Sequence, residues 1–194
     1  MKKNNFTPLQ HFDISSQKRA QIKNQVPKCV WLTGLSGSGK STIANALDKE
    51  LTSMGIHCYI LDGDNIRNGL CSDLSFTNQD RHENIRRVAE VSRLMFDAGL
   101  IVICAFISPF QKDRDFARSL YSDGEFIEVF VDTPMDLIIK RDPKGHYKNA
   151  HKGLIKDFTG LDSEYEVPDN PEIRINTIIQ SLDESVKDIK DIIL

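Results

Sequence analysis

The chain has 194 residues and a formal net charge of −3 at pH 7, and this length fits one domain. The weak negative charge gives no general attraction to nucleic acid or to an anionic membrane surface, so we expect neither as a partner. No apolar run approaches the roughly 20 residues needed to span a bilayer, and the polar start argues against a secretory signal. The composition therefore indicates a globular cytoplasmic protein.

Short apolar runs rich in β-forming residues alternate with helical patterns along the chain. The five runs are Cys29–Leu32, Ile56–Leu61, Leu100–Phe106, Phe126–Val131 and Ile173–Ile175. Near-continuous apolar runs are typical of strands that are covered on both faces, and strands that alternate with helices form parallel sheets. We therefore predict one α/β domain over residues 29–194, preceded by a polar appendage, residues 1–28, with a short helix near Ser16–Asn24.

The cysteines do not form a Cys-x-x-Cys pair, so neither a zinc site nor a dithiol redox site is favoured. Cys29, Cys58 and Cys104 fall within apolar strand-like runs and are predicted to be buried, inert thiols. Cys71 lies in a predicted loop, where its environment is left open.

A glycine-rich segment follows the first predicted strand and matches the phosphate-loop pattern G-x-x-x-x-G-K-[ST] in full. In such loops the backbone N–H groups surround the phosphates, the lysine reaches the β- and γ-phosphates, and the serine hydroxyl binds magnesium. The chain therefore carries a predicted P-loop nucleoside-triphosphate site, with a chance glycine-rich turn as the disfavoured alternative. The residues expected to contact ATP are Gly34, Leu35, Ser36, Gly37, Ser38, Gly39, Lys40, Ser41 and Thr42.

The helix after this loop carries Ile43, Leu47, Leu51 and Met54 on one face and is predicted to end at Gly55. An apolar strand before the loop and an amphipathic helix after it are the context that the pattern requires. GTPases, ATPase motors, small-molecule kinases and silent nucleotide sensors all share this loop, so the reaction has to be inferred from the acceptor side.

Two carboxylates, Asp62 and Asp64, follow the second predicted strand. Ligands gather at the carboxyl ends of parallel strands, so both side chains are expected to face the phosphates. One is suited to hold magnesium and the other to orient or deprotonate an attacking hydroxyl. An Asp-Gly turn that only solvates the strand end is the alternative.

A long helix is predicted from about Asn78 to Ala98, with Thr77 and Asp80 as a variant of the capping box. At 100° per residue its apolar stripe also contains Arg81 and Asn84, so both point inward at the helix start. An unpaired buried charge is costly. We therefore expect these two side chains to bind an anionic ligand, with an internal salt bridge as the alternative.

Ser108 follows the third predicted strand and precedes a proline. It is a candidate to hydrogen-bond the substrate, to carry a phosphate covalently, or to cap the next helix.

Residues 142–170 form the longest stretch without a clear strand or long helix. Lys144, Lys148, Lys152 and Lys156 recur there every four residues. A basic mobile lid would exclude water from an anionic site during phosphate transfer, and a solvated lysine face is the alternative.

Together these segments resemble the adenylyl-sulfate kinases, which phosphorylate adenosine 5′-phosphosulfate (APS) on its 3′-hydroxyl to make PAPS. The resemblance covers roughly residues 28–176. It is carried by the strings DGDNIR, ENIRRV, AFISPF, RDPKG and FTG, which occur in this order and start at residues 62, 83, 105, 141 and 158.

The resemblance implies a role for each matching residue. Asp62 and Asp64 would serve Mg²⁺ and the 3′-hydroxyl, with Ser41 and Asp62 as the metal ligands. Arg67, Arg81 and Asn84 would contact the phosphosulfate and ribose of APS. Phe76 and Phe158 would stack on the APS adenine, and the backbone near Ile107 would contact the edge of that base. Arg141 would contact the ATP adenine, and Lys144 would belong to the lid. Ser108 matches a position that the family labels as a phosphoserine intermediate, and the residues predicted to act in catalysis are Lys40, Asp62, Asp64 and Ser108.

One departure from the family is Asn68, where histidine is usual. The family also implies a possible homodimer and a possible association with other sulfate-activation enzymes.

Phosphate transfer to another small hydroxyl acceptor is an alternative function, but it leaves Phe76 and Phe158 unexplained as paired stacking residues. A non-catalytic nucleotide-binding module is a further alternative, disfavoured by the intact phosphate loop and carboxylate pair.

Overall fold

The computed structural model describes residue 10 and residues 12–142, 145–152 and 158–194. It contains a five-stranded parallel sheet in the order β2-β3-β1-β4-β5. The strands are β1 Cys29–Thr33, β2 Cys58–Asp62, β3 Ile101–Ala105, β4 Phe126–Asp132 and β5 Ile173–Asn176. All five predicted strands are present, and their ends differ from the predictions by at most two residues.

Helices lie along the connections between these strands. They are α1 Ser16–Lys23, α2 Lys40–Ser53, α3 Gly63–Arg67, α4 Asn78–Asp97, α5 Gln111–Ser119, α6 Met135–Arg141, α7 His146–His151 and α8 Leu182–Ile193. The predicted helices near residues 16–24, after the phosphate loop and at residues 78–98 correspond to α1, α2 and α4. Within the described residues, no helix is both long and apolar enough to cross a bilayer.

The core consists of two apolar layers, one on each face of the sheet. One layer packs α2 and α8 against the strands through side chains such as Leu47 and Ile189, and the other packs α4 and α5 through side chains such as Val88 and Ala117. Both faces of the sheet are therefore covered, as the continuous apolar strands predict. The α/β fold class is confirmed.

Two side chains are more exposed than their sequence patterns imply, and for Cys58 the predicted burial is wrong. Met54 is 52% exposed, because α2 ends at Ser53 and Met54 is its C-cap. Cys58 is only half-buried, since β2 is an edge strand, although desolvation still raises the pKa of its thiol to about 11. Cys71, whose environment the sequence left open, is buried.

The strand order places the phosphate loop beside the predicted acceptor segments. In the sheet register Leu32 pairs with Ala105, and Asp62 pairs with the same Ala105 from the other side. The carboxyl ends of β1, β2 and β3 therefore lie side by side, where ligands bind in sheets of this type.

Candidate active site

The phosphate loop has the backbone conformation that its glycines allow. Gly34 has φ 146°, and a Cβ atom there would lie 2.6 Å from the carbonyl oxygen of Val131, so any other residue would be both strained and obstructed. Gly39 is the N-cap of α2, with φ 111°. The Lys40 amine lies over the loop and donates to the carbonyls of Gly34 (2.9 Å) and Leu35 (2.7 Å).

The predicted magnesium ligands lie next to each other. The Ser41 hydroxyl donates to Oδ2 of Asp62 at 2.7 Å, and Oδ1 of Asp62 accepts from the backbone N–H of Asp64 at 3.0 Å. Asp62 thereby caps the start of α3, which carries Asp64 at its exposed N-terminus. The alternative of a strand end that is only solvated is wrong for Asp62.

This pair of oxygen ligands fits Mg²⁺. No group of three or more His, Cys, Asp and Glu side chains within the described ranges is placed to hold a metal. Mg²⁺ does not need such a group, because it commonly takes one or two protein ligands together with substrate phosphates and water. Ser41 and Asp62 supply two hard oxygen atoms beside the loop.

The start of α4 is capped by the Thr77 side chain, as the capping signal predicts, but the return bond of a full capping box is not made. The Thr77 hydroxyl accepts from the backbone N–H of Asp80 at 3.2 Å and donates to Oδ2 of Asp80 at 2.9 Å. The Asp80 carboxylate also accepts from the backbone N–H of Ser75, not of Thr77 as in a standard box. Hydrogen bonds from the hydroxyls of Ser75 and Thr77 hold the Asp80 pKa below its usual value.

Arg81 and Asn84 are buried, with 7% and 4% of their surface exposed. The prediction that both side chains point inward from α4 is therefore confirmed. Arg81 donates from Nε to the carbonyl of Phe76 (2.9 Å) and from Nη1 to the Thr159 hydroxyl (2.6 Å). The Oδ1 atom of Asn84 is buried without a hydrogen-bond partner among the described residues. A buried acceptor of this kind is expensive unless a ligand satisfies it.

The two predicted stacking rings differ in exposure. Phe76 is 58% exposed, and the guanidinium of Arg67 lies 4.3 Å from the centre of its ring. Phe158 is buried and packs edge-on against Tyr147, with ring centres 4.8 Å apart. The Tyr147 hydroxyl donates to the carbonyl of Ser36 at 3.0 Å, and burial raises the tyrosine pKa to about 12, which keeps the donor protonated.

Ser108 does not cap the next helix, so that alternative is wrong. Helix α5 begins at Gln111 after Phe110, which makes no side-chain cap, and the backbone N–H of Gln111 donates to Oε2 of Glu166 instead. Ser108 is buried instead, and its Oγ accepts from the indole N–H of Trp31 at 3.1 Å. Its backbone has φ 38°, which is rare for a residue other than glycine.

A cavity of about 420 Å³ joins these groups. Most of the predicted site residues line it: Ser36, Gly37, Gly39, Lys40, Ser41, Thr42, Asp62, Asp64, Arg67, Phe76, Arg81, Asn84, Ile107, Ser108 and Phe158. The cavity is also lined by residues without a predicted role, which are Gly63, Ile85, Ala105, Phe106, Pro109, His146 and Thr159. All of these residues except His146 lie in the DGDNIR, ENIRRV, AFISPF or FTG strings, so the sequence carries a signal for each of them.

The remaining predicted residues lie elsewhere. Gly34, Leu35 and Ser38 belong to the phosphate loop but do not line the cavity, and Arg141 is exposed at the end of α6. Lys144 lies outside the described residues. Of the other lid lysines, Lys148 and Lys152 are exposed and Lys156 also lies outside; the short helix α7 in this range was not predicted.

Comparison with known proteins identifies the family. A family model described as adenylylsulphate kinase matches residues 26–176. The adenylyl-sulfate kinase of Marinobacter nauticus is 59% identical over 173 residues, which are 89% of this chain and 87% of that protein. The bifunctional enzyme NodQ of Rhizobium tropici is 60% identical over 171 residues, but the chain spans only 27% of the length of that relative.

A solved structure agrees with the sequence comparisons. The Mycobacterium tuberculosis APS kinase CysC, in complex with AMPPNP and APS, superimposes with a TM-score of 0.83 at 45% identity, over 87% of this chain and 98% of that chain. The family and the P-loop fold expected from the sequence are thus confirmed. The chain belongs to the adenylylsulphate kinase family.

Proposed function

We propose that this protein transfers the γ-phosphate of ATP to the 3′-hydroxyl of APS, forming PAPS and ADP. The observation that carries the proposal is the cavity of about 420 Å³, which is lined by phosphate-loop residues, the carboxylate pair and the Arg81–Asn84 face of α4. Two substrates that react by direct transfer have to meet in one enclosed space. Here a nucleotide-phosphate site and an anion-binding site open into the same space.

The phosphate loop serves the donor. Its N–H groups and the start of α2 bind the β- and γ-phosphates, and Lys40 exchanges its carbonyl partners for phosphate oxygens. Ser41 and Asp62 would hold Mg²⁺, which would neutralise phosphate charge when bound.

Asp64 serves the reacting hydroxyl. It lies two residues after Asp62 at the start of α3, and its backbone N–H is bonded to that side chain, so the two carboxylates keep a fixed relation. The Asp64 carboxylate accepts the proton of the 3′-hydroxyl while the 3′-oxygen bonds to the γ-phosphorus. The bond from that phosphorus to the bridging oxygen breaks, and ADP leaves.

The other end of the cavity serves the acceptor. The phosphosulfate carries negative charge and no hydrogen-bond donor at neutral pH, so the guanidinium groups of Arg67 and Arg81 suit it. Phe76 and Phe158 supply flat apolar surfaces for a base. A purine sulfonucleotide fits this combination better than a sugar acid does.

An assay of ADP formation tests the proposal. The purified protein is given Mg²⁺ and ATP with APS, with gluconate, with a nucleoside monophosphate, or with no acceptor. We expect saturable turnover with APS well above the ATP-only background, and PAPS as the second product. Turnover with another acceptor and none with APS would reject the proposal, and ATP binding without any turnover would indicate a binding module.

Replacing Asn84 with alanine is expected to raise the KM for APS about tenfold with little change in the KM for ATP. The amide lies on the acceptor side of the cavity, and one hydrogen bond contributes roughly 1–1.5 kcal/mol. Thermal stability is expected to stay level or rise, because the substitution removes a buried acceptor that has no partner among the described residues.

Steady-state kinetics and thermal unfolding check this prediction, with Asn78→Ala as the control. Asn78 is exposed at the first position of the same helix and should affect neither KM. An unchanged KM for APS in Asn84→Ala would show that the helical stripe does not mark the substrate site.

We also propose that the protein works in the cytoplasm as a homodimer and associates with other enzymes of sulfate activation. The association is supported by the bifunctional relative, of which this chain matches 27%. Size-exclusion chromatography with light scattering measures the oligomeric state, and a monomeric mass at working concentrations would reject the dimer.

A further inference from the structure

The turn that follows β3 is held in an unfavourable backbone conformation. Ser108 has φ 38°, and the residue before a proline normally prefers an extended backbone. Strained positions of this kind persist only where surrounding contacts hold them. Ile107, Ser108 and Pro109 all line the cavity, so whatever holds this turn also fixes one wall of the acceptor site.

The main support of the turn is Arg114 on α5, a residue that does not itself line the cavity. Its side chain is 0% exposed. Nη1 donates to the Ser108 carbonyl at 2.7 Å, and Nη2 donates to the carbonyl of Glu166 at 2.8 Å and to Oε1 of Gln111 at 2.5 Å. One guanidinium therefore joins the turn to the segment around Glu166.

A buried carboxylate fixes this guanidinium from behind. Nε of Arg114 lies 2.9 Å from Oε1 of Glu128. Neither atom has a hydrogen bond of good geometry with a described residue, so we regard the contact as an ion pair. Arg118 contacts the other oxygen of Glu128 at 3.1 Å and is itself partly exposed. Because an uncompensated buried charge is costly, the ion pair keeps Arg114 in one orientation.

A second set of bonds ties the same two segments together. Thr33 donates from its hydroxyl to the Ile107 carbonyl at 2.7 Å and lies 3.0 Å from the hydroxyl of Tyr165. The backbone N–H of Glu166 donates to the Pro109 carbonyl at 2.8 Å. Tyr165 and Glu166 follow Thr159 closely along the chain and lie at the end of the predicted lid. The Ile107–Pro109 turn and the end of that lid are therefore bonded as one unit.

We propose that Arg114 is a positioning residue for the acceptor: it holds the Ile107–Pro109 turn in its strained form and thereby sets the affinity for APS without touching it. This inference rests on the proposed function. Lysine keeps the charge at this position, but its single nitrogen cannot reproduce the forked contacts of a guanidinium. The turn should therefore relax in Arg114→Lys while the phosphate loop stays intact.

The test compares Arg114→Lys with Arg118→Lys. Both substitutions alter an arginine that pairs with Glu128, but only Arg114 is bonded to the turn. We expect the KM for APS to rise about tenfold in Arg114→Lys, since small displacements of a binding wall have effects of this size or larger. The KM for ATP should change less than about twofold, and Arg118→Lys should leave both values near those of the wild type.

Trp31 offers a second readout that does not depend on activity. It is the only tryptophan of the chain, it is buried, and its indole donates to Ser108. We expect its fluorescence emission to change in folded Arg114→Lys and to match the wild type in Arg118→Lys.

If Arg114→Lys does not fold, Gln111→Met replaces it in the test. This change removes one hydrogen-bond partner of the Arg114 guanidinium and leaves its ion pair with Glu128. We then expect a smaller rise in the KM for APS.

The outcomes separate the inference from the proposed function. Wild-type protein that does not phosphorylate APS would reject the function, and the fluorescence comparison would then decide the role of Arg114 alone. Wild-type protein that is active on APS, with unchanged APS affinity and unchanged Trp31 emission in the folded variant, would overturn the inference. Equal rises of the KM for APS in both variants would show a general effect of the Glu128 network and would also overturn it.

Discussion

Replacing Lys40 with alanine is expected to lower kcat/KM for phosphate transfer by about 10³-fold, or about 4 kcal/mol of transition-state stabilisation. Negative charge shifts toward the β–γ bridging oxygen and the β-phosphate as the γ-phosphoryl group departs. The Lys40 amine is buried in the loop, where its interaction with that charge is stronger than in water. Water in the alanine variant cannot supply an oriented positive charge.

Initial-rate kinetics with varied ATP and saturating APS measure this effect. Lys49→Ala is the matched control, because Lys49 lies on the same helix and is exposed, and its activity should equal that of the wild type. The stabilisation of the protein by Mg²⁺ and ATP in thermal unfolding should also shrink in Lys40→Ala. A loss of less than tenfold would mean that the loop binds its ligand in another way.

Asp64→Asn should reduce kcat by roughly 10²- to 10³-fold, within the range known for general acid–base groups. Asparagine preserves the size of the side chain but is a poor proton acceptor. Helix α3 should remain intact, because its N-terminus is capped by Asp62 and not by the side chain of position 64. We therefore expect an effect on the chemical step and little effect on the KM for APS.

Single-turnover measurements separate that chemical step from product release. Asn65→Ala is the control, since Asn65 is the exposed neighbour in α3 and does not line the cavity described above. Equal losses in both variants would show that α3 is simply disturbed. A raised KM for APS with normal kcat would assign Asp64 to binding and not to proton transfer.

Regular patterns predicted the sheet and the two halves of the site. The apolar runs gave all five strands, because strands buried on both faces leave a continuous signal. The position of Asn84 followed from helical periodicity alone, and Lys40 followed from a motif whose spacing is set by phosphate geometry. Each of these features depends on residues that are close in sequence.

Features that depend on distant contacts were not predictable. Helices α3, α6 and α7 have five, seven and six residues, too few to display a period. The bond from Trp31 to Ser108 spans 77 positions, and the exposure of Cys58 depends on β2 being an edge strand. The role of Ser108 was therefore left among three alternatives, and tertiary structure removed one of them.

The described residues Tyr147 and Thr159 are bonded to different parts of the proposed active site. Tyr147 is bonded to the Ser36 carbonyl in the phosphate loop, and Thr159 is bonded to Arg81 on the acceptor side. We therefore expect the release of either product to require a rearrangement that also changes the other half of the proposed site. The order in which ADP and the sulfonucleotide dissociate would then be dictated by which of these two attachments breaks first.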